Sequence, residues 1–232
     1  MEVKTASTDP IDEKDVATGN GVITKERQAL LKLLNQRSEC FATNIDELGC
    51  TNLIEMDIAL KEARTLVSSR PYRTSKEERE TIQKIVSEWK AAGIVTESRS
   101  PYANPVLLVR KKNGEPRLVA DYWKLNAQTV KDKYSLPLID DAVEKLAASK
   151  LFTMLHLGHG FLQISLKESE KEKTAFVTPD GTWKFERLIF ELSNEPKQFQ
   201  RLMNTALGNL RNTIAVCYLD DILVPAKLLE RC

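Results

Sequence analysis

Two adjacent carboxylates, Asp220 and Asp221, lie inside the apolar segment IAVCYLDDILV. Neighbouring acids in such a run lose solvation unless they occupy a turn or face a cation. A hairpin turn, where Asp is common, accounts for the pair as well as a metal site does. In the metal reading, carboxylate oxygens point to Mg²⁺ and substrate phosphates, because that ion keeps waters and takes few protein oxygens. The chain's two histidines, His156 and His159, lie three apart in LFTMLHLGHGFLQI, a stretch that reads as a buried strand entering a turn. Strand residues three apart point to opposite faces, so these two are not expected to converge on one zinc ion. Cys40, Cys50, Cys217 and Cys232 show no CxxC spacing and are expected to be free thiols in a reducing compartment.

A second group of chemically useful residues is basic. Between residues 105 and 134, Arg110, Lys111, Lys112, Arg117, Lys124, Lys131 and Lys133 face only Glu115, Asp121 and Asp132. That local excess is compatible with a phosphate-bearing partner, although a solvated face would look the same. The whole chain carries a net charge of only +1, which argues neither way. No apolar run is long enough to cross a membrane, and the N-terminal MEVKTASTDPIDEKDV lacks a signal-like apolar core. An intracellular protein, cytoplasmic or nuclear, is the expectation.

The elements that must position these residues are mixed. Residues 1–21 are polar and aperiodic and read as a flexible arm, followed by a helix from Thr24 with an apolar face of Leu30, Leu31, Leu33 and Leu34. A short strand is expected within LIEMDIAL. Ser75 and Glu78 have capping-box spacing, Ile82, Ile85, Val86, Trp89 and Ala92 follow the helical period, and Gly93 stands at the C-cap. PVLLVRKK and PRLVADY flank Asn113-Gly114 and predict a hairpin. A helix is expected over 138–148, strands over 151–157 and 161–166, and a second hairpin around Pro179-Asp180-Gly181. EPKQFQRLMNTALGNL predicts a helix with Pro196 in its first turn. Strands and helices do not alternate strictly, so the fold class is α+β.

Taken together, Tyr218-Leu219-Asp220-Asp221, KKNGEPRLVADYWKLN and FELSNEPKQFQ resemble the reverse transcriptase of gypsy-type LTR retrotransposons, part of a Pol polyprotein. The resemblance runs from about Leu48 to the C-terminus, in the family's order and spacing. It implies a right-hand polymerase with an antiparallel palm sheet and packed helices. Its expected layout is an N-terminal arm and helix (1–47), fingers (48–135, with 167–190 returning to them) and a palm (136–166 and 191–232) truncated before the primer grip and thumb. It also implies RNA-directed DNA polymerase activity, a template–primer of RNA or DNA, dNTP, and two Mg²⁺ ions held by Asp220 and Asp221. Several carboxylates are needed there because two close dications and a triphosphate must be neutralised and oriented together. Arg117, with Lys111 or Lys112, matches the residues that grip the triphosphate through charge-assisted hydrogen bonds. Phe161 matches the aromatic gate against a ribose 2′-hydroxyl, and Phe190 with Asn194–Pro196 matches the palm segment beneath nucleotide and template.

The sequence departs from that pattern in three places. His156 stands where the third catalytic Asp belongs. A neutral imidazole offers one lone pair and no negative charge, so it cannot replace a bridging carboxylate. The expected loss is on the order of a thousand-fold in rate or more. Glu191 and Glu195 replace a Gly and a small residue, adding acids where phosphate should bind. Trp123 stands where the family has Arg. The expectation is therefore a catalytically impaired copy, the alternative being a co-opted, non-catalytic domain that binds nucleic acid or protein.

Overall fold

The computed structural model describes residues 10–226 apart from Thr43, Asn113, Ala148 and Asn212. Asn113 of the expected turn, Cys232 and the first nine residues of the expected arm lie outside the described residues. The chain divides into two compact units, residues 1–49 and 50–232.

In the first unit, α1 (Thr24–Asn35) forms where expected, but only Leu30, Leu31 and Leu34 of the leucine face are partly covered and Leu33 is exposed. The Asn35 side chain clasps the preceding segment, accepting from the Ile11 N–H at 2.9 Å and donating to its carbonyl at 2.8 Å.

In the second unit, β1 (Thr51–Met56) starts two residues before the expected segment LIEMDIAL and covers its first half. The helix α2 (Lys76–Ala91) starts on the predicted cap: the Ser75 hydroxyl accepts from the Glu78 N–H and the Glu78 carboxylate accepts from the Ser75 N–H. It ends before Gly93 at φ +66°, a conformation that costs a residue without Cβ little. Then follow β2 (Val95–Glu97), β3 (Asn104–Arg110) and β4 (Pro116–Ala120), the last two forming the expected hairpin in register Val106↔Ala120 to Arg110↔Pro116. Next come α3 (Trp123–Gln128), α4 (Ile139–Leu146) and β5 (Leu151–His156).

The strand expected over 161–166 is shorter than the sequence suggested. Residues Gly160–Gln163 form a 3-10 turn and only β6 (Ile164–Leu166) is extended. Phe161 and Leu162 are both buried, and consecutive residues of one strand cannot both face the same core. After α5 (Glu168–Lys171), β7 (Phe176–Thr178) and β8 (Gly181–Phe185) make the second hairpin around Pro179-Asp180. The chain continues through α6 (Glu195–Leu207) with Pro196 in its first turn, β9 (Val216–Tyr218) and β10 (Asp221–Ala226).

Three sheets result. One is five-stranded in the order β2-β8-β7-β3-β4, one is three-stranded and antiparallel in the order β5-β10-β9, and β1 pairs with β6 in parallel. The larger sheet is anchored by Phe176 and Phe185, whose rings lie 4.9 Å apart, and by buried Tyr122, which donates to the Thr174 carbonyl at 2.7 Å. The smaller sheet carries the candidate site at one end. The α6 helix touches β9 and the 3-10 turn, burying Phe199, Gln200, Leu202 and Met203. No helix among the described residues is long and apolar enough to cross a membrane.

Candidate active and metal site

The hairpin β9–β10 turns in two residues, Leu219 and Asp220, because Tyr218 pairs directly with Asp221. Leu219 has φ +52° and Asp220 does not share the positive sign, the pattern of a turn with its first central residue left-handed. That conformation is unfavourable for a residue with a side chain, so neighbouring groups must hold it. The fully buried Gln200 of α6 accepts from the Leu219 N–H through its Oε1 at 2.9 Å, and the Leu157 N–H donates to the Asp220 carbonyl at 2.8 Å. The Cys217 thiol donates to the Leu219 carbonyl at 3.5 Å, and burial pushes its pKa up to about 11, so it is a structural thiol and not a ligand-ready thiolate.

On the other side, β10 pairs with β5 so that Asp221 stands directly opposite His156. Their side chains meet, with Nδ1 of His156 and Oδ1 of Asp221 3.0 Å apart. Ligand atoms of His156, Asp220 and Asp221 lie within 4.8 Å of one another, the one such group among the described residues. All three are partly open to solvent.

The basic and aromatic residues form an adjoining set. The Arg117 guanidinium lies over the Phe190 ring at 4.5 Å, and Phe190 packs on Phe161 at 5.0 Å. Phe161 packs in turn on Phe199 at 4.4 Å. Gly160 is required by this stack: a Cβ there would stand 2.6 Å from the Phe199 ring. Lys111 pairs with Glu115 at 3.1 Å across the β3–β4 loop, and Lys112 is exposed on the same loop. His159, at φ +55°, lies in the turn between β5 and Phe161. Partial enclosure, and then the charges of Lys111 and Arg117, hold its pKa below the ordinary range, so its imidazole is neutral at pH 7. His159 shares no metal-ligand cluster with His156 among the described residues.

Glu191 occupies the turn before α6 at φ +81° and points an acid at the basic set: its Oε1 lies 3.6 Å from Nη2 of Arg117. The Asn126 side chain donates to the Glu191 carbonyl at 2.6 Å and accepts from the Ser193 N–H at 2.9 Å, pinning this backbone. Glu195 is buried nearby. Desolvation, reinforced by the charge of Glu191, pushes its pKa up to about 8, so it is mostly protonated at neutral pH. Trp123 is the opposite case, 77% exposed at the start of α3.

Sequence reasoning singled out neither Gln200 nor Phe199 nor Gly160. A signal existed for Gln200: it is a polar residue on the face of α6 that also carries Met203. The pairing of Arg117 with Glu191 had none, since it joins segments 74 residues apart.

Residues 109–232 match the family described as reverse transcriptase (RNA-dependent DNA polymerase), which is more than half of the chain. The chain belongs to the reverse transcriptase family. Over 204 residues it is 34% identical to the retrovirus-related Pol polyprotein from transposon 412 of Drosophila melanogaster, covering 85% of this chain and 16% of that protein. It is 31% identical to the transposon Tf2-3 polyprotein of Schizosaccharomyces pombe over 75% of this chain and 13% of the relative. The chain thus spans only about a sixth of the length of such retrotransposon Pol polyproteins. Among solved structures, the foamy viral protease–reverse transcriptase in complex with RNA/DNA hybrid matches at TM-score 0.76 and 19% identity, over 90% of this chain and 28% of that one. A form of the same viral protein in complex with double-stranded DNA matches at TM-score 0.80 and 20% identity, over 90% and 37%. The α+β fold is that of reverse transcriptase fingers and palm.

The family implies divalent-metal use, and the cluster at the hairpin is where such an ion fits. The donors do not fit a bridged pair of Mg²⁺ ions, because one of the three is an imidazole nitrogen.

Proposed function

We propose that this reverse transcriptase domain is the fingers and palm segment of a gypsy-type LTR retrotransposon polymerase in which nucleotide addition is impaired. The observation that carries the reading is the cross-strand pairing of His156 with Asp221 at the carboxylate hairpin. Asp220 and Asp221 are the surviving catalytic acids, and His156 occupies the position of the third. Lys111, Lys112 and Arg117 are the triphosphate contacts, Phe161 the sugar gate and Phe190 the platform beneath the nucleotide. Residues 48–135 and 167–190 make the fingers, residues 136–166 and 191–232 the palm, and residues 1–47 an arm and helix. The substrates in this reading are dNTP and an RNA or DNA template–primer, the family ion is Mg²⁺, and the setting is intracellular.

The chemistry of the side chains supports impairment twice over. At the hairpin, a group without negative charge replaces a metal-bridging oxygen. At the nucleotide end, Glu191 already neutralises the Arg117 guanidinium that would otherwise receive phosphate. Primer extension by the unaltered chain with Mg²⁺ or Mn²⁺ tests the reading. The expected result is no incorporation above background, and robust extension would overturn it. Recovery of incorporation is expected for His156→Asp combined with Glu191→Gly, and its absence would remove those two positions as the source of the impairment.

A non-catalytic, co-opted nucleic-acid-binding role is the second reading, favoured by the exposed basic residues Arg110, Lys111 and Lys112 at one hairpin end. Its measurement is affinity for a primer–template as a function of salt, which should fall steeply. Absence of binding at low salt removes it.

A further inference from the structure

We infer that His156, Asp220 and Asp221 form a site for a single borderline transition-metal ion of the Zn²⁺ class, in place of a Mg²⁺ pair. The inference rests on donor geometry and charge, and it holds whether or not the chain extends a primer.

The donor set is one imidazole and two carboxylates, not an acidic cluster. Imidazole nitrogen suits Zn²⁺, Co²⁺ and Ni²⁺, whereas Mg²⁺ selects oxygen and water. The spacing fits one such ion. Nδ1 of His156 and Oδ1 of Asp221 are 3.0 Å apart. Two ligands each about 2.0–2.1 Å from a shared ion stand roughly 3 Å apart, so the pair already has the bite that chelation requires. The third carboxylate is within 4.8 Å of both, close enough to close a facial set after a rotamer change.

Charge counts against a second ion. Two carboxylates and a neutral imidazole balance one dication, while two dications would leave a double positive charge uncompensated. Preorganisation favours binding. The separation of His156 and Asp221 is set by their directly opposed backbone positions, and that of Asp220 by the Leu157 and Gln200 hydrogen bonds at the turn. In the unligated protein the Nδ1–Oδ1 contact is a hydrogen bond; the tautomer protonated on Nε2 frees the Nδ1 lone pair for the ion. Three protein ligands leave the remaining positions to water or to an incoming anion, the arrangement of an open zinc site.

The test uses the full chain and Co²⁺ as a spectroscopic probe for Zn²⁺. The unaltered chain should take up one Co²⁺ with visible d–d absorption lacking thiolate charge transfer. Zn²⁺ should displace it, and Mg²⁺ in large excess should not. His156→Ala, at a side chain that is 59% exposed and therefore dispensable for folding, should weaken Co²⁺ binding roughly ten-fold or more with an unchanged circular dichroism spectrum. His156→Asp should shift preference towards Mg²⁺. Because the chain has two histidines, imidazole NMR gives a second readout: Zn²⁺ should move the His156 resonances and leave those of His159 in place. Four results would overturn the inference: equal Co²⁺ affinity in His156→Ala, a thiolate band placing the ion on cysteine, Mg²⁺ competing as well as Zn²⁺, or no binding at all.

Discussion

Of the three described non-glycine residues at positive φ, Leu219 and Glu191 sit in turns that resolve the same strain differently. At the hairpin tip, Leu219 is held from outside: Gln200 takes its N–H, and the Cys217 thiol its carbonyl. The strained residue contributes no charge to the site beside it. At the turn before α6, the backbone of Glu191 is pinned by Asn126, but its side chain enters the neighbouring chemistry by pairing with Arg117 and raising the pKa of Glu195. The first turn leaves the local charge to its neighbours, whereas the second sets its own acid against a guanidinium and offsets the positive charge there.

The comparison breaks most visibly if the two turns do not share a foundation. Phe199 supports Phe161, which supports Phe190 and hence the Arg117 end, while its helix neighbour Gln200 holds the tip. Phe199→Ala should lower stability by about 3–5 kcal/mol in urea unfolding. A loss below about 1 kcal/mol would mean that the turns are supported independently.

The second turn has a pH signature. Glu195 has a folded pKa of about 8, above its ordinary 4.5, so the folded state holds a proton that the unfolded state releases. Its contribution is fully present below pH 4.5 and is lost as pH rises through about 8, with a slope reaching about 1.4 kcal/mol per pH unit. Glu195→Gln should flatten that dependence in denaturation midpoints measured between pH 5 and 8. An unchanged slope would remove Glu195 as its source.

Gln200→Ala leaves the Leu219 N–H without its partner and should cost about 1–3 kcal/mol. Its effect should be confined to the hairpin, so hydrogen exchange should rise at Leu219 and stay level around Glu191. The smallest effect separates the turns by sign of strain alone. Glu191→Gly should gain about 0.5–1 kcal/mol by relieving the left-handed conformation, and it should bring Glu195 back towards its ordinary range. Leu219→Gly should gain similarly if Leu219 contributes only strain, and a net loss would show that its side chain packs productively.

Much of this was legible in the amino-acid sequence, for identifiable reasons. The capping box of α2 and the hairpins of β3–β4 and β7–β8 are written in local residues, so they could be placed from spacing alone. The position of Asp220 and Asp221 at a tip beside His156 followed from the resemblance. Elements too short to show a period were not legible: the three residues of β2 and the six of α3. The 3-10 turn at 160–163 was hidden because Phe161 and Leu162 look like strand residues until the fit of Gly160 against Phe199 is known. The neighbours of His159 were hidden too, since Lys111 and Arg117 come from a hairpin more than forty residues earlier in the chain.

The register of β5 against β10 has a genetic consequence. Because the ladder fixes where residue 156 stands relative to Asp221, exchanging its side chain need not move the backbone. Histidine and aspartate codons differ only in their first base, CAY against GAY. A single transversion therefore converts one donor set into the other on an intact scaffold, and a population of copies can cross between metal preferences in one mutational step.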